Sequence, residues 1–415
     1  MFRRLLGYLD KIFDFEVRVS TLRDGRCAAR IPTRSVWMSV FLMFVTRLPS
    51  FNRLEQELRR AGRWDKVLGG AKPSADTLGY ALCRFGVEPV RALLEHHGRT
   101  AWRIKAIKGR PGEKFRVVAI DGHELGWSQA RCCPQCQVRE VTIKGKGKHE
   151  GQDRKVKQYY HRVVVAQWVG VTPPGILDLE LIGAHEGETV AARRLLDRIL
   201  SRYAKLIDVI SADALYLEAP FLQKILRAGK HFVVVMKQET RELFQDAEQL
   251  RMALPPQVIV EGTKTSTLWD IPELSTFTTL GQAVRVVWAQ ERDLRNRVIG
   301  GELQQVLEEK TWVWVTDLSA DKASMLRIRK WGHDRWDLEN RGFNELVQHW
   351  EMDHSFIHDP TAIEALLLTL ALAFLTTYLF FENNLKPAAR RYLTRLALAA
   401  RLLEDIGTVA LQPSG

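Results

Sequence analysis

Three carboxylates could do chemistry together. Asp121 closes the β-branched run Arg116-Val117-Val118-Ala119-Ile120, Asp213 closes Asp208-Val209-Ile210-Ser211-Ala212, and Glu339 lies in the strongly helical stretch Arg335-Trp336-Asp337-Leu338-Glu339-Asn340. A carboxylate at the C-terminal end of a strand is rigidly supported and points into the crevice where mixed sheets bind ligands. Three such groups could hold a pair of Mg²⁺ ions, which activate a water or a 3′-hydroxyl and stabilise the leaving oxygen in phosphoryl transfer. Acidic residues after strands also serve as turn formers and helix caps, so the pattern alone leaves both readings open.

Four other groups carry possible chemistry. Cys133-x-x-Cys136 has the spacing of half a zinc site, which His123, His149 or His161 could complete; the alternative is a pair of reduced thiols in a surface loop. His349, His354 and His358 form a helical trio with one i,i+4 pair and no third ligand on the same face, which argues against a metal there. Lys144, Lys146, Lys148, Arg154, Lys155 and Lys157 crowd a Gly-rich loop ahead of Tyr159 and Tyr160, where positive charge beside Asp121 suits a DNA phosphate track. Trp312 and Trp314 are two residues apart and share one face of a strand, the pattern of a buried aromatic pair.

These residues need a frame. Val36, Phe41, Phe44, Val45 and Leu48, then Leu54, Leu58, Trp64 and Val67, recur at helical spacing, broken by Pro49-Ser50 and Gly69-Gly70. Such short helices, with Arg53, Arg59, Arg60 and Arg63, suit either a helix-turn-helix-like DNA-binding unit or a plain bundle. Behind a basic linker from Arg103 to Lys114, strands are expected at 116–120, 159–168 and 176–182, the first ending at Asp121-Gly122. A helix over 189–203, a strand over 206–211, a helix between Pro220 and Gly229, and a strand over 231–236 follow. Three strands followed by alternating helices and strands indicate an α/β fold with a mixed sheet. Strand chemistry returns between about 256 and 316, and helical pattern runs from about 320 to 403.

The chain has 415 residues, 46% of them hydrophobic and 27% charged, which excludes a disordered, collagen-like or coiled-coil protein. Its net charge of +12 favours a polyanionic partner, nucleic acid first. Five dispersed and clustered cysteines do not make a secreted disulfide framework and point to a reducing, intracellular setting. Residues 362–381 approach the length of a membrane span, but Glu364 and three threonines interrupt them, and Asp359-Pro360 supplies an N-cap and an N1 proline. The expectation is a buried helix and no membrane.

The stretches VVAIDGHEL, SADALYLEAPFLQKILRAGKHFVVVMK and RWDLENRGFNEL resemble the three catalytic motifs of DDE transposases, specifically the insertion-sequence-4 group. The resemblance implies an RNase H-like α/β catalytic domain interrupted by a β-rich insertion, with Asp121, Asp213 and Glu339 as Mg²⁺ ligands and Mn²⁺ as a substitute. It implies Arg335 as a phosphate contact and places Trp312 where some relatives stack a flipped base. Two positions depart from the group: Gly332 stands three residues before Arg335 in place of tyrosine, and Leu346 stands seven after Glu339 in place of lysine. Trp331 or His333 is the expected substitute for the tyrosine.

The implied layout is a helical, DNA-end-binding domain over residues 1–105 and a catalytic domain in two parts, 114–255 and 317–383. The β-rich insertion covers 256–316, and a helical tail covers 384–415. The implied protein is a cytoplasmic, DNA-associated bacterial enzyme that works as a homodimer on transposon ends and target DNA, cleaving and joining strands. Two rivals are an RNase H-like nuclease without strand transfer and an inactive, DNA-binding descendant.

Overall fold

The computed structural model of the chain describes residues 1–60, 64–144, 153–239 and 241–409. They form a mixed α/β protein whose chain divides into two compact units. One comprises Met1–Pro111, Gly122–Leu195 and Glu339–Gly415; the other comprises Gly112–Asp121 and Leu196–Leu338. The principal strands are β1 (Val117–Ser128), β2 (Gln137–Ile143), β3 (Arg154–Val169), β4 (Gly175–Ile182), β5 (Val209–Ala212), β6 (His231–Val235), β7 (Gln257–Glu261), β8 (Lys264–Leu274), β9 (Val284–Ile299) and β10 (Glu302–Thr316).

In the second unit the strand order is β1-β5-β6-β10-β9-β8-β7. The first three strands are parallel, with Val117 opposite Val209 and Val209 opposite His231, and every later pairing is antiparallel. The parallel segments Val117-Val118-Ala119-Ile120 and Val209-Ile210-Ser211-Ala212 are buried throughout. Continuous apolar runs of that kind are what a strand covered on both faces requires. Strands β9 and β10 form a long hairpin closed by Gly300 and Gly301, both at positive φ, which a two-residue turn matching the strand twist demands.

The other unit is built around the helix Pro360–Asn384. It is long and apolar enough to cross a membrane, but 94% of its most apolar window is buried inside the protein, by the helices Thr33–Val45 and Val87–Arg103 and by β4. Its start is the expected one: the Asp359 side chain accepts the Ala362 N–H, and Pro360 needs no hydrogen-bond partner at N1. Trp37 donates its indole N–H to Thr369 at 3.0 Å, and buried Arg91 pairs with Asp178 and Glu364. In this unit the order is β2-β3-β1, with β4 also paired to β3.

Three local expectations are corrected. The first strand does not end at Asp121-Gly122 but continues to Ser128. An Asp-Gly pair reads as a turn, yet here each glycine answers a close approach: a Cβ on Gly122 would sit 2.4 Å from the Glu188 carboxylate, and one on Gly126 would sit 1.8 Å from the Asp353 carbonyl oxygen. The basic segment around Arg154 is not wholly a loop, because Arg154, Lys155 and Lys157 lie on β3, paired with Ile143, Thr142 and Glu140 of β2. Opposite charges at Glu140 and Lys157 face each other across the ladder and favour that register. Nor do His354 and His358 share a helix: the helix Asn344–Trp350 ends at Glu351 in the left-handed region (φ 60°), and the next begins only at Pro360.

Candidate active site

The parallel register relates the first two carboxylates. Ile120 is opposite Ala212, so Asp121 and Asp213 follow at corresponding places on neighbouring strands. Strands so paired lie about 4.8 Å apart, which puts the two residues at neighbouring strand ends. Asp213 also caps the short 3₁₀ turn Ala214–Tyr216, accepting the Ala214 N–H at 2.7 Å. The helix-cap role that the sequence left open is thus filled by Asp213.

Each aspartate carries a basic partner. Arg335, at the end of the helix Met325–Asp334, places a guanidinium nitrogen 2.5 Å from an Asp121 carboxylate oxygen, and its side chain is only 7% exposed. Lys237, just beyond β6, reaches Asp213 at 3.0 Å. Burial alone would push the Asp213 carboxyl up; the Ala214 N–H, the Lys237 ammonium and the nearby Arg335 charge outweigh it and hold the carboxyl below the ordinary value. Lys237 was not singled out by the sequence, although it closes the second motif and follows the strand next to β5. Glu339 lies in the π-helical turn Leu338–Phe343, four residues along the chain from Arg335. Such turns are recurrent at functional positions.

Trp312 is half-buried on β10 and belongs to an aromatic cluster. It stacks with buried Trp314 at 6.3 Å and meets Trp336 and His333 edge to face at 4.9 and 5.5 Å. The substitutes expected for the missing tyrosine are otherwise engaged. Trp331 is buried and donates to Glu113 at 3.1 Å, and His333 lies 3.0 Å from the Glu291 carboxylate. Gly332 itself is dictated by packing: a Cβ there would fall 2.0 Å from the indole nitrogen of Trp314. Leu346, at the missing lysine, is buried.

Behind that cluster Glu291 gathers Arg329 at 2.7 Å, His333 at 3.0 Å and Lys264 at 2.8 Å. Burial opposes its charge, but His333, Lys264 and Arg329 together depress its pKa strongly. This network joins the helix Met325–Asp334 to the β-rich hairpins beside it.

The remaining candidates separate. Lys144, Arg154, Lys155 and Lys157 are exposed, whereas Lys146, Lys148, His149 and Arg63 lie outside the described residues. Cys133, Cys136 and His161 converge, with ligand atoms within 4.8 Å of one another. His123 does not join them; it bonds Asp353 at 2.8 Å and stacks on Phe343. His358, discounted as part of a helical trio, takes its place, with Nδ1 3.4 Å from the Cys136 sulfur.

A family model described as a transposase DDE domain matches residues 112–376, a span that holds all three carboxylates, Arg335 and Lys237. Comparison with curated proteins returns no match. With most of its length inside that match, the chain belongs to the DDE transposase family, whose members cleave and transfer DNA and generally use divalent metals such as Mg²⁺.

Proposed function

We propose that this chain is the transposase of an insertion sequence of the insertion-sequence-4 group, with an RNase H-like catalytic domain. It binds the element's terminal inverted repeats, cuts there and joins the freed 3′ ends to target DNA. The single observation that carries the reading is the pair Asp121 and Asp213, at matching positions on adjacent parallel strands and each neutralised by a basic side chain.

The donor set suits a hard cation. Carboxylate oxygens are the ligands Mg²⁺ and Mn²⁺ prefer, and two carboxylates supported by rigid strands need positive charge, which Arg335 and Lys237 supply. Asp121, Asp213 and, from its place in the third motif, Glu339 would hold the metal, which when bound activates the attacking oxygen and neutralises charge on the phosphoryl group. Lys237 and the Arg335 charge help keep Asp213 ionised, Arg335 holds Asp121 in place, and either cation can turn to a DNA phosphate once its carboxylate is otherwise neutralised. Half-buried Trp312 offers an aromatic face to a displaced base, and Lys144, Arg154, Lys155 and Lys157, with Lys146 and Lys148, track the phosphate backbone. Synapsis of two ends makes a homodimer the working form, with the helices of residues 1–105 reading the ends.

The test is cleavage of DNA carrying the segments that flank the gene, in Mg²⁺ or Ca²⁺, by the wild type and by Glu339→Ala and Asp121→Ala. Cuts at the element boundaries should require Mg²⁺ and vanish in both variants while end binding persists. A 3′-hydroxyl end joined to a second DNA separates a transposase from a nuclease. Tight binding without cutting by the wild type refutes the catalytic reading.

A further inference from the structure

We infer that Cys133, Cys136, His161 and His358 form a closed structural Zn²⁺ site, one that nothing in the transposition chemistry requires. All four residues lie in the unit that contains Gly122–Leu195 and Glu339–Gly415. The two sulfurs are 3.6 Å apart, His161 Nε2 is 3.4 Å from the Cys133 sulfur and 3.3 Å from that of Cys136, and His358 Nδ1 is 3.4 Å from the Cys136 sulfur.

Those separations match four of the six edges of a particular polyhedron. Zinc binds sulfur at about 2.3 Å and imidazole nitrogen at about 2.0–2.1 Å, so a tetrahedral site spaces two sulfurs by about 3.8 Å and a sulfur and a nitrogen by about 3.5 Å. The four measured edges fall within about 0.2 Å of those values. Ordinary packing gives no reason for two thiols and the His161 imidazole to lie all within 4.8 Å of one another, with His358 adjoining them at Cys136. Two sulfur and two nitrogen donors in a tetrahedron select zinc over the oxygen-seeking ions of phosphoryl transfer.

The surroundings complete the site. The Cys133 N–H lies 3.2 Å from the Cys136 sulfur, and the Cys136 N–H bonds the Cys133 carbonyl, so the Cys-Pro-Gln-Cys turn aims both sulfurs to one side. Ser355 Oγ is 2.7 Å from His358 Nε2, which fixes the imidazole with Nδ1 free to ligate. Cys136 and His161 are 6% and 4% exposed and Cys133 and His358 are half-buried, a setting that suits a structural ion.

The ligands come from three distant stretches: the turn after β1, the strand β3, and the irregular segment between the helices Asn344–Trp350 and Pro360–Asn384. Zinc therefore ties the irregular segments that carry Cys133, Cys136 and His358 to the strand β3 that carries His161.

The experiment is elemental analysis of the full chain, purified without chelator, followed by Co²⁺ titration of the chelator-stripped protein. About one zinc per chain is expected, and Co²⁺ should give the visible bands of a tetrahedral ion with thiolate charge transfer. Cys136→Ser and His358→Ala should each lose the stoichiometric zinc, Cys132→Ser should keep it, and Ser355→Ala should weaken it roughly tenfold or more. A folded wild type without zinc and without a tetrahedral Co²⁺ spectrum overturns the site; full zinc retention in His358→Ala overturns the fourth ligand. Should Cys136→Ser not fold, the wild-type cobalt spectrum and His358→Ala still decide. Because no DNA enters the measurement, its outcome is independent of whether the chain proves to be a transposase.

Discussion

Gly332→Ala should destabilise the protein, against what helix propensity alone demands. Gly332 lies within the helix Met325–Asp334, where exchanging glycine for alanine normally stabilises by about 1 kcal/mol. Here the added Cβ would stand 2.0 Å from Nε1 of Trp314 and 2.5 Å from two of its ring carbons. Trp314 is 1% exposed, carries Trp312 stacked on one side, and meets His333 edge to face, so the ring has no easy retreat. Overpacking of a buried site costs about 1–3 kcal/mol and more when the neighbour is rigid. The steric cost outweighs the propensity gain, leaving a net loss of up to about 2 kcal/mol.

The assay is urea unfolding followed by tryptophan fluorescence, with Gly7→Ala as the companion. Gly7 is also helical, but a Cβ there meets nothing within 4 Å, so the same substitution should stabilise by up to about 1 kcal/mol. Trp314→Ala removes the obstacle, so Gly332→Ala made in that background should cost at least about 1 kcal/mol less than in the wild type. Stabilisation by Gly332→Ala, or equal effects in both backgrounds, refutes the argument that Trp314 is why this position has no side chain.

Two further outcomes follow from buried charge. His97 is fully buried, stacks on Phe13 at 4.5 Å, and bonds the Leu93 carbonyl through Nδ1; burial, reinforced by His96 and Arg18, lowers its pKa from 6.5 to about 3. The unfolded chain then takes up the proton first as pH falls, so this contribution is complete above about pH 6.5 and declines toward pH 3; between pH 7.5 and pH 5 the wild type should lose about 2 kcal/mol that His97→Phe does not lose. Arg91→Met should cost about 3–5 kcal/mol in a denaturant melt, because it leaves Asp178, 1% exposed, without its guanidinium. Restoration by Asp178→Asn with Glu364→Gln in the same chain is expected, and a neutral Arg91→Met disproves the pairing's role.

Where the sequence carried its own local cause, it was legible. The helix Pro360–Asn384 announces itself by a carboxylate cap, an N1 proline and an apolar run too polar at Glu364 for lipid, and burial within the protein follows. What failed were signals with two physical meanings. Asp121-Gly122 has turn composition, but the strand runs on through it, with the Glu188 carboxylate packed over the glycine. The strand β2 was missed because its side chains are largely exposed, leaving no apolar stripe; its register depends on β3 instead.

The same distinction runs through the two sites. Asp121 and Asp213 were visible because a buried parallel strand must be apolar until the point where it meets a crevice, so the first carboxylate after each run marks that point. Lys237 and His358 were not, since neither stands in a pattern of its own. Lys237 acquires its partner from the parallel pairing of β5 with β6, and His358 acquires Cys136 only because Glu351 ends one helix and Asp359 starts another. Had the helical spacing of His354 and His358 persisted, His358 would have been held to a helix face. The break between two helices, which erased the expected i,i+4 pair, is what allows a Cys2His2 centre to close.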